Sequence, residues 1–144
     1  MKNVYQTSNA EETEAIGEQI GAQLIGGEVI ELSSDLGGGK TTFVRGLARG
    51  VGSADRVASP TFTISKVYQA PDFAIHHFDF YRLQEAGLIK HELEDVLGDE
   101  KVVTVVEWSD VIADVLPEHT IKIDITSNGE NRRTIAIDQP GGAN

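Results

Sequence analysis

The stretch SSDLGGGKTT, residues 33–42, concentrates residue types that bind phosphate. In the phosphate-binding loop pattern G-x-x-x-x-G-K-[ST], backbone N–H groups cradle phosphates, the lysine contacts the outer ones and the hydroxyl binds Mg²⁺. Ser34 stands where the first glycine belongs, and if that position required a positive φ, serine would cost on the order of 1 kcal/mol. The alternative is a helix-entry turn with Lys40 solvated. We predict a nucleotide site comprising Asp35, Leu36, Gly37, Gly38, Gly39, Lys40, Thr41 and Thr42.

Two acidic residues could complete a magnesium site beside this loop. Hydrolysis at such a loop also needs a carboxylate delivered from the end of a buried strand. Glu107 follows the run VVTVV directly, and Asp79 lies at the end of AIHHF. For a single strand-end acid, capping a helix or pairing with arginine is the ordinary role. Because the strand before Glu107 is more completely apolar, we favour Glu107 on the metal and predict that Asp79 orients the attacking water or a metal-bound water.

The triplet Ser59-Pro60-Thr61 is a candidate switch segment. Proline fixes its own φ and keeps Ser59 extended, so the triplet presents the Thr61 hydroxyl stiffly. It could sense the γ-phosphate, as switch segments do. The alternative is an ordinary turn that enters a strand.

Other polar and aromatic residues have weaker claims to a function. His76 and His77 are neighbours on a predicted strand and would point to opposite faces, so we do not predict a transition-metal site. Trp108 follows Glu107 and is a core residue, a wall of the site or a partner contact. Candidate charge stabilisers, for which surface ion pairs are the ordinary alternative, are Arg45, Arg82, Arg132 and Arg133.

The sequence around the loop predicts the elements that would position it. Glu28–Leu32 has the pattern of a strand and Thr41–Ala48 that of a helix, so the order is strand, glycine loop, helix, as the motif requires. A first amphipathic helix is predicted from about residue 9 to residue 25, with Ser8–Glu11 as a capping box. Further strands are predicted at Phe62–Tyr68, Phe73–Phe80, Val102–Val106, Ile121–Ile125 and Thr134–Ile137, and further helices at Glu85–Leu97 and Ser109–Val115.

These elements predict an α/β fold. The β-branched run Val102–Val106 is typical of a strand buried on both faces of a parallel sheet, and the last two strands are expected to form a hairpin around Ser127–Gly129. The expected architecture is a single-domain P-loop NTPase with a mostly parallel central sheet flanked by helices and a C-terminal β-hairpin. We predict one domain over residues 1–144, with a disordered tail at about 139–144.

The amino-acid composition argues against several kinds of site and function. The 144 residues include no cysteine, so neither a disulfide nor a thiolate metal site is possible. Lys and Arg number 12 against 23 Asp and Glu, a net charge of −11, and the longest basic run is Arg132-Arg133. Direct binding of tRNA or DNA is therefore not expected. No stretch approaches the ~20 apolar residues of a membrane span, and the N-terminal residues lack the apolar core of an export signal, so we expect a cytoplasmic protein.

The sequence lacks a complete guanine-recognition motif, and this favours one nucleotide over another. Guanine-specific proteins read the base with [NT]-K-x-D, and the nearest segment, Ile121–Asp124, lacks the first residue and alternates like a plain strand. ATP is therefore favoured over GTP. A small-metabolite kinase would need an acceptor pocket and a mobile lid, for which no segment is suited. Slow hydrolysis used as a switch fits a short chain better, and a nucleotide-sensing binding module without useful turnover remains the alternative.

The ordered segments LSSDLGGGKTTFVRGL, SPTFTI, HHFDFYRL and VVEWSD resemble the TsaE family, also called YjeE, of small bacterial ATPases. The resemblance covers nearly the whole chain, about residues 8 to 138. It implies a compact P-loop domain that binds Mg²⁺ with ATP or ADP and hydrolyses ATP weakly alone. It also implies a role in forming N6-threonylcarbamoyladenosine in tRNA together with the partners TsaB and TsaD, so that tRNA is reached only through that complex.

The resemblance also implies roles for individual residues. Lys40 would contact phosphates, Thr41 and Glu107 would coordinate Mg²⁺, and Asp79 would support hydrolysis. Ser59-Pro60-Thr61 would act as a switch-like segment, and Trp108 would lie beside the site. The residues implied to flank the adenine are Asn9 and Ala10, and the arginine implied to reach the nucleotide is Arg132 or Arg133.

The sequence departs from the family pattern at two positions. Ser34 replaces the usual glycine, and Ser109 stands where proline commonly follows the Glu-Trp pair. The first departure puts the rigidity of the loop in question, and the second only the local turn.

Overall fold

The computed structural model describes residues 2–34, 39–55, 57, 65–79, 88–107 and 114–140, and for residues 88 and 89 it describes the backbone alone. Within these ranges the chain forms seven strands and three helices. Their bounds are β1 Lys2–Thr7, α1 Ala10–Gln23, β2 Val29–Ser34, α2 Lys40–Gly50, β3 Ser65–Gln69, β4 Ala74–Asp79, α3 Leu88–Val96, β5 Val102–Glu107, β6 Ile121–Ser127 and β7 Arg133–Asp138.

All seven strands belong to one sheet, in the order β1-β7-β6-β2-β5-β4-β3. The central strands β6, β2, β5 and β4 are parallel to one another. The outer strands β1, β7 and β3 add antiparallel pairs, so the sheet as a whole is mixed. The predicted α/β fold with a parallel centre and a C-terminal hairpin of β6 and β7 is confirmed. Because parallel strands end at the same edge, the last residues of β2, β4 and β5 lie together there.

Helices cover both faces of the central strands. On one face Ile30 of β2 and Val105 of β5 share a buried cluster with Phe43 and Leu47 of α2. On the other face Val106 of β5 packs with Leu93 of α3 in a smaller cluster. All six residues of β5 are buried, as predicted for a strand covered on both faces. No helix in the described ranges is long and apolar enough to span a membrane.

Helices α1 and α2 lie against each other with little space between their backbones. A Cβ atom built on Gly46 would lie 2.0 Å from the carbonyl oxygen of Glu14, and one on Gly50 would lie 2.3 Å from that of Glu18. On the opposite helix, a Cβ at Gly17 would lie 2.4 Å from the Phe43 carbonyl oxygen. Residues further along α1 contact residues further along α2, so the two helices run in the same direction. The N-terminus of α1 is therefore held beside the N-terminus of α2.

The predicted cap of α1 is displaced by one residue. Asn9 is the N-cap residue, and its Oδ1 accepts a hydrogen bond of 2.8 Å from the N–H of Glu12. The Glu12 carboxylate in turn accepts a bond of 2.7 Å from the N–H of Ser8. Asn9 and Glu12, rather than Ser8 and Glu11, therefore occupy the two positions of a capping box, but the Glu12 carboxylate bonds to the N–H of Ser8, the residue before the cap, instead of that of Asn9. The helix also ends at Gln23, ahead of the predicted residue 25.

Other sequence predictions differ from the structure at one strand and at several boundaries. Strand β1 was not predicted, and it pairs with β7 at the edge of the sheet. Strands β3 and β4 lie within predicted strands and pair antiparallel. Parts of four predicted segments lie outside the described residues. They are the first residues of the predicted strand 62–68 and of the predicted helix 85–97, most of the predicted helix 109–115, and residues 141–144 of the predicted tail.

Candidate nucleotide-binding site

The glycine-rich segment connects the end of β2 to the start of α2. Ser34 is the last residue of β2 and pairs with Ile125 of β6. Its backbone is therefore extended, and the conditional cost of a serine at positive φ does not apply. Gly39 precedes α2 with φ of 102°, a conformation that glycine adopts without steric strain. Its carbonyl oxygen accepts a 2.9 Å bond from the N–H of Phe43, which starts the helix.

Lys40, the first residue of α2, is directed toward the sheet. Its Nζ lies 3.3 Å from Oε1 of Glu107, and the two side chains are 11% and 5% exposed. Glu107 is the last residue of β5 and pairs with Leu32 near the end of β2, which brings its carboxylate close to the loop. The alternative in which Lys40 is solvated is excluded by this contact.

The other oxygen of the Glu107 carboxylate has its own partner. Nε2 of His77, on β4, hydrogen bonds to Oε2 of Glu107. Burial alone would raise the pKa of Glu107, but the contacts with His77 and then with Lys40 outweigh burial and lower the pKa of this carboxyl below its usual value. Glu107 is therefore held in its ionised form, which is the form that binds a cation.

Asp79 lies next to Glu107. It is the last residue of β4 and pairs in register with Glu107 of β5. Paired residues of neighbouring parallel strands direct their side chains to the same face of a sheet. Asp79 is partly exposed, whereas Glu107 is 3% exposed. The two acids therefore differ in burial, although they share one face and one edge.

A small cavity of about 50 Å³ adjoins the loop on the side away from Glu107. Its lining residues come from the start of α1, the start of α2 and the end of the β6–β7 hairpin: Ala10, Thr13, Gly39, Thr42, Asn131 and Arg133. A Cβ on Gly39 would lie 3.4 Å from Nε of Arg133. Nη1 of Arg133 donates to the carbonyl oxygens of Arg132 at 2.8 Å and Gly129 at 3.1 Å, which holds the guanidinium against its own hairpin.

The structure therefore brings most of the described candidate residues to one edge of the sheet. Lys40, Asp79 and Glu107 lie at the ends of parallel strands and the start of α2, and Thr41 and Thr42 follow Lys40 in the first turn. Arg45 is exposed on α2. The remaining candidates, Asp35, Leu36, Gly37, Gly38, Ser59, Pro60, Thr61, Arg82 and Trp108, lie outside the described residues.

Three site residues were not predicted as part of the nucleotide site. Thr13 follows Ala10 by about one helical turn, a spacing that could have placed both on one face of α1. His77 precedes Asp79 by two residues on a strand, which puts both on one face, yet it was considered only as a metal ligand. Asn131 lies in the hairpin loop, where no periodic pattern identifies it.

The donor set fits a magnesium ion bound together with a nucleotide. Glu107 and Thr41 carry oxygen atoms of the kind that Mg²⁺ prefers and would be its protein ligands, and the ion usually retains waters and phosphate oxygens as its other ligands. Across the described ranges no group of three or more His, Cys, Asp or Glu side chains could hold a metal by itself.

Strand β2 is followed in the sequence by the glycine-rich segment and then by α2, whose Lys40 lies beside a buried strand-end carboxylate, and this arrangement defines a P-loop-type α/β protein. Comparison with known proteins identifies the family. Residues 7–135 match the family model of the threonylcarbamoyl adenosine biosynthesis protein TsaE. The chain belongs to the TsaE family.

Individual relatives agree with this assignment. The tRNA threonylcarbamoyladenosine biosynthesis protein TsaE of Bacillus subtilis strain 168 is 38% identical over 141 residues, covering 95% of this chain and 85% of the relative. The protein of the same name from Treponema pallidum is 36% identical over 133 residues, covering 90% of this chain and 95% of the relative. The crystal structure of Bacillus subtilis YdiB superposes with a TM-score of 0.82 at 34% identity, covering 98% of this chain and 87% of that one.

Proposed function

We propose that this protein is a Mg²⁺-dependent ATPase that serves the formation of N6-threonylcarbamoyladenosine in tRNA by acting on a complex of TsaB and TsaD homologues. Membership of the TsaE family supports the pathway, because the relatives carry that biosynthesis in their names. The observation that carries the ATPase assignment is the 3.3 Å contact between Lys40 and Glu107. It brings a lysine and a buried carboxylate together at the end of β5, which supports the roles proposed for them, contact with phosphate for Lys40 and with the metal for Glu107.

The chemistry follows from the roles of these side chains. In the proposed mechanism Lys40 leaves Glu107 for the nucleotide phosphates, and Glu107 and the Thr41 hydroxyl are the groups that would hold Mg²⁺. When bound, Mg²⁺ would neutralise charge on the phosphate oxygens. Asp79, partly exposed beside Glu107, would orient the attacking water or a metal-bound water. The backbone N–H groups at the start of α2 point toward the loop and favour an anion there.

The cavity beside Gly39 supports a position for the rest of the nucleotide. Ala10 and Thr13 of α1 line one side and Arg133 lines another. Its volume of about 50 Å³ is smaller than a nucleotide, so only part of the ligand would occupy it. We propose that the adenine end of ATP lies on this side, flanked by the start of α1 and by Arg133.

The test is hydrolysis of Mg-ATP by the purified protein, alone and with the cognate TsaB–TsaD pair. We expect the pair to stimulate hydrolysis, and we expect Lys40→Ala to lower it about a hundredfold or more because charge stabilisation at the phosphates is lost. Lys122→Ala, which removes an exposed lysine on β6, is the matched control and should retain wild-type activity.

Each contrary result points to a different function. Flat hydrolysis with sound nucleotide binding would identify a nucleotide-sensing binding module. Transfer of phosphate to a soluble acceptor instead of water would identify a kinase. Equal activity in the wild-type protein and Lys40→Ala would refute the site itself.

A further inference from the structure

His77 is a buried polar residue to which the mechanism above gives no role. Its side chain is fully buried, and its ring lies 6.2 Å, centroid to centroid, from that of Tyr68 on β3. Nε2 hydrogen bonds to Oε2 of Glu107, whereas Nδ1 is buried and has no hydrogen-bond partner among the described residues.

With Nδ1 unpartnered within the described part of the chain, histidine is an unfavourable choice at this position for packing alone. A buried polar atom without a partner costs about 1–3 kcal/mol, and an apolar ring would fill a similar volume without that cost. The contact that histidine makes and an apolar ring cannot is the one to Glu107. The residue type at position 77 is therefore explained by the carboxylate and not by the core.

The two oxygens of Glu107 have separate partners. Lys40 contacts Oε1 and His77 contacts Oε2. If Lys40 moves to phosphate, as proposed above, Oε1 loses that contact, while Oε2 keeps its bond to a ring that the core holds in place. A carboxylate with one oxygen hydrogen bonded has fewer orientations in which to present the other.

We propose, on the basis of the function proposed above, that His77 is a positioning residue that fixes Oε2 of Glu107 so that Oε1 faces the Mg²⁺ of the bound nucleotide. His77 does not touch nucleotide or metal in this role. It acts as the outer partner of a metal ligand, and loss of such a partner typically weakens metal affinity about 10–100-fold.

The test compares three side chains at position 77 that differ in whether they can place a hydrogen-bond donor where Nε2 of His77 lies. His77→Gln carries an amide N–H at about the reach of Nε2, whereas the amide of His77→Asn is too short and His77→Phe has none. The affinity for ADP is measured in EDTA and as a function of Mg²⁺ concentration. In EDTA all three variants should bind ADP like the wild-type protein. The Mg²⁺ concentration that gives half of the maximal change in ADP affinity should rise about tenfold or more in His77→Asn and His77→Phe. In His77→Gln this concentration should stay close to the wild-type value.

Controls separate positioning from a loss of packing. Ile75→Val removes a methylene from the same strand and face, and it should lower the melting temperature without changing the Mg²⁺ dependence. If His77→Phe fails to fold, the Gln and Asn pair still carries the comparison. Imidazole ¹⁵N spectra of the ligand-free protein should show a proton on Nε2, and a neutral ring protonated only at Nδ1 would overturn the proposal.

The outcomes distinguish this inference from the proposed function. If ADP binding by the wild-type protein ignores Mg²⁺, or if Glu107→Gln leaves the Mg²⁺ dependence unchanged, the proposed magnesium site is wrong. If Glu107→Gln weakens the Mg²⁺ effect but His77→Asn and His77→Phe do not, the site stands and His77 has no positioning role. Equal weakening in EDTA and in Mg²⁺, without rescue by Gln, would show that His77 only supports the core.

Discussion

At the scale of single residues, the site depends on a buried carboxylate that remains charged. Removing Glu107 from water would normally favour its neutral form, and the contacts with His77 and Lys40 reverse that preference. Lys40 benefits in turn, because a lysine side chain that is 11% exposed needs an anionic partner. The contact therefore explains how a cation and an anion can both be held at low exposure, ready for the roles proposed for them above.

The environment of His76, next to His77 in the sequence, affects how the folding stability of the protein changes when the pH is lowered. Its side chain is partly buried on β4, and burial lowers its pKa below the usual 6.5, with a smaller opposing effect from Asp99. The unfolded chain therefore takes up this proton at a higher pH than the folded protein does. The stability contributed by His76 is fully present above about pH 6.5 and is lost as the pH falls from there through the lowered folded-state pKa.

The measurement for His76 is the free energy of unfolding in urea from pH 7.5 to pH 5.5. We expect His76→Gln to show a shallower loss of stability on acidification than the wild-type protein. His119→Gln, at an exposed histidine, is the matched control. An unchanged slope in His76→Gln would contradict the prediction.

At the scale of secondary-structure elements, the packing of α1 on α2 builds the side of the site away from Glu107. Gly17, Gly46 and Gly50 let the helix backbones approach so closely that a Cβ at any of them would meet a backbone oxygen of the other helix. The close approach brings Ala10 and Thr13 beside Gly39 and Thr42. The glycines in these helices thus serve contact between elements, at the expense of helix propensity.

Gly46→Ala tests the helix contact. In an exposed helix this change would stabilise by about 1 kcal/mol, but here the Cβ would lie 2.0 Å from the Glu14 carbonyl oxygen. We expect the opposite sign, a loss of about 1–3 kcal/mol, because the helices must separate. Chemical denaturation measures the loss, and Gln19→Ala on the exposed face of α1 is the control. A stabilised Gly46→Ala protein would show that the two helices separate without cost.

At the scale of the whole molecule, charge determines how the protein can reach tRNA. The net charge is −11, so the chain as a whole repels a polyanion. This agrees with the proposal that the protein serves tRNA modification through partners and does not bind tRNA itself.

Binding of tRNA tests this prediction directly. We expect the isolated protein to bind tRNA more weakly than about 10⁻⁴ M at about 0.15 M salt, because the phosphate contacts that drive nonspecific binding are missing. Gel-shift titrations of tRNA with the isolated protein measure this affinity. The same titrations in the presence of the TsaB–TsaD pair are the control. Salt-sensitive binding by the isolated chain at micromolar concentrations would reveal a local basic surface and contradict the prediction.

Much of the fold could be predicted because its signals are local. The β-branched residues of β5 and the order of β2, the glycine turn and α2 specify their conformation within a few residues. These segments identified Lys40 and Glu107 as candidates, and the strand before Asp79 identified that residue, since strand-end acids and a loop lysine can be recognised in the sequence. Boundaries were less accurate, as the cap at Asn9 shows, because several polar residues nearby can serve as caps.

The amino-acid sequence by itself therefore determined the class of fold, the loop and the acids that could serve it. Only the tertiary structure decided that β1 exists, because Lys2–Thr7 is mostly exposed and becomes a strand by pairing with β7. It also decided that His77 contacts Glu107 and that Thr13 lies beside the loop. These contacts join segments far apart in the chain, and their register depends on how whole strands and helices pack, which no local pattern encodes.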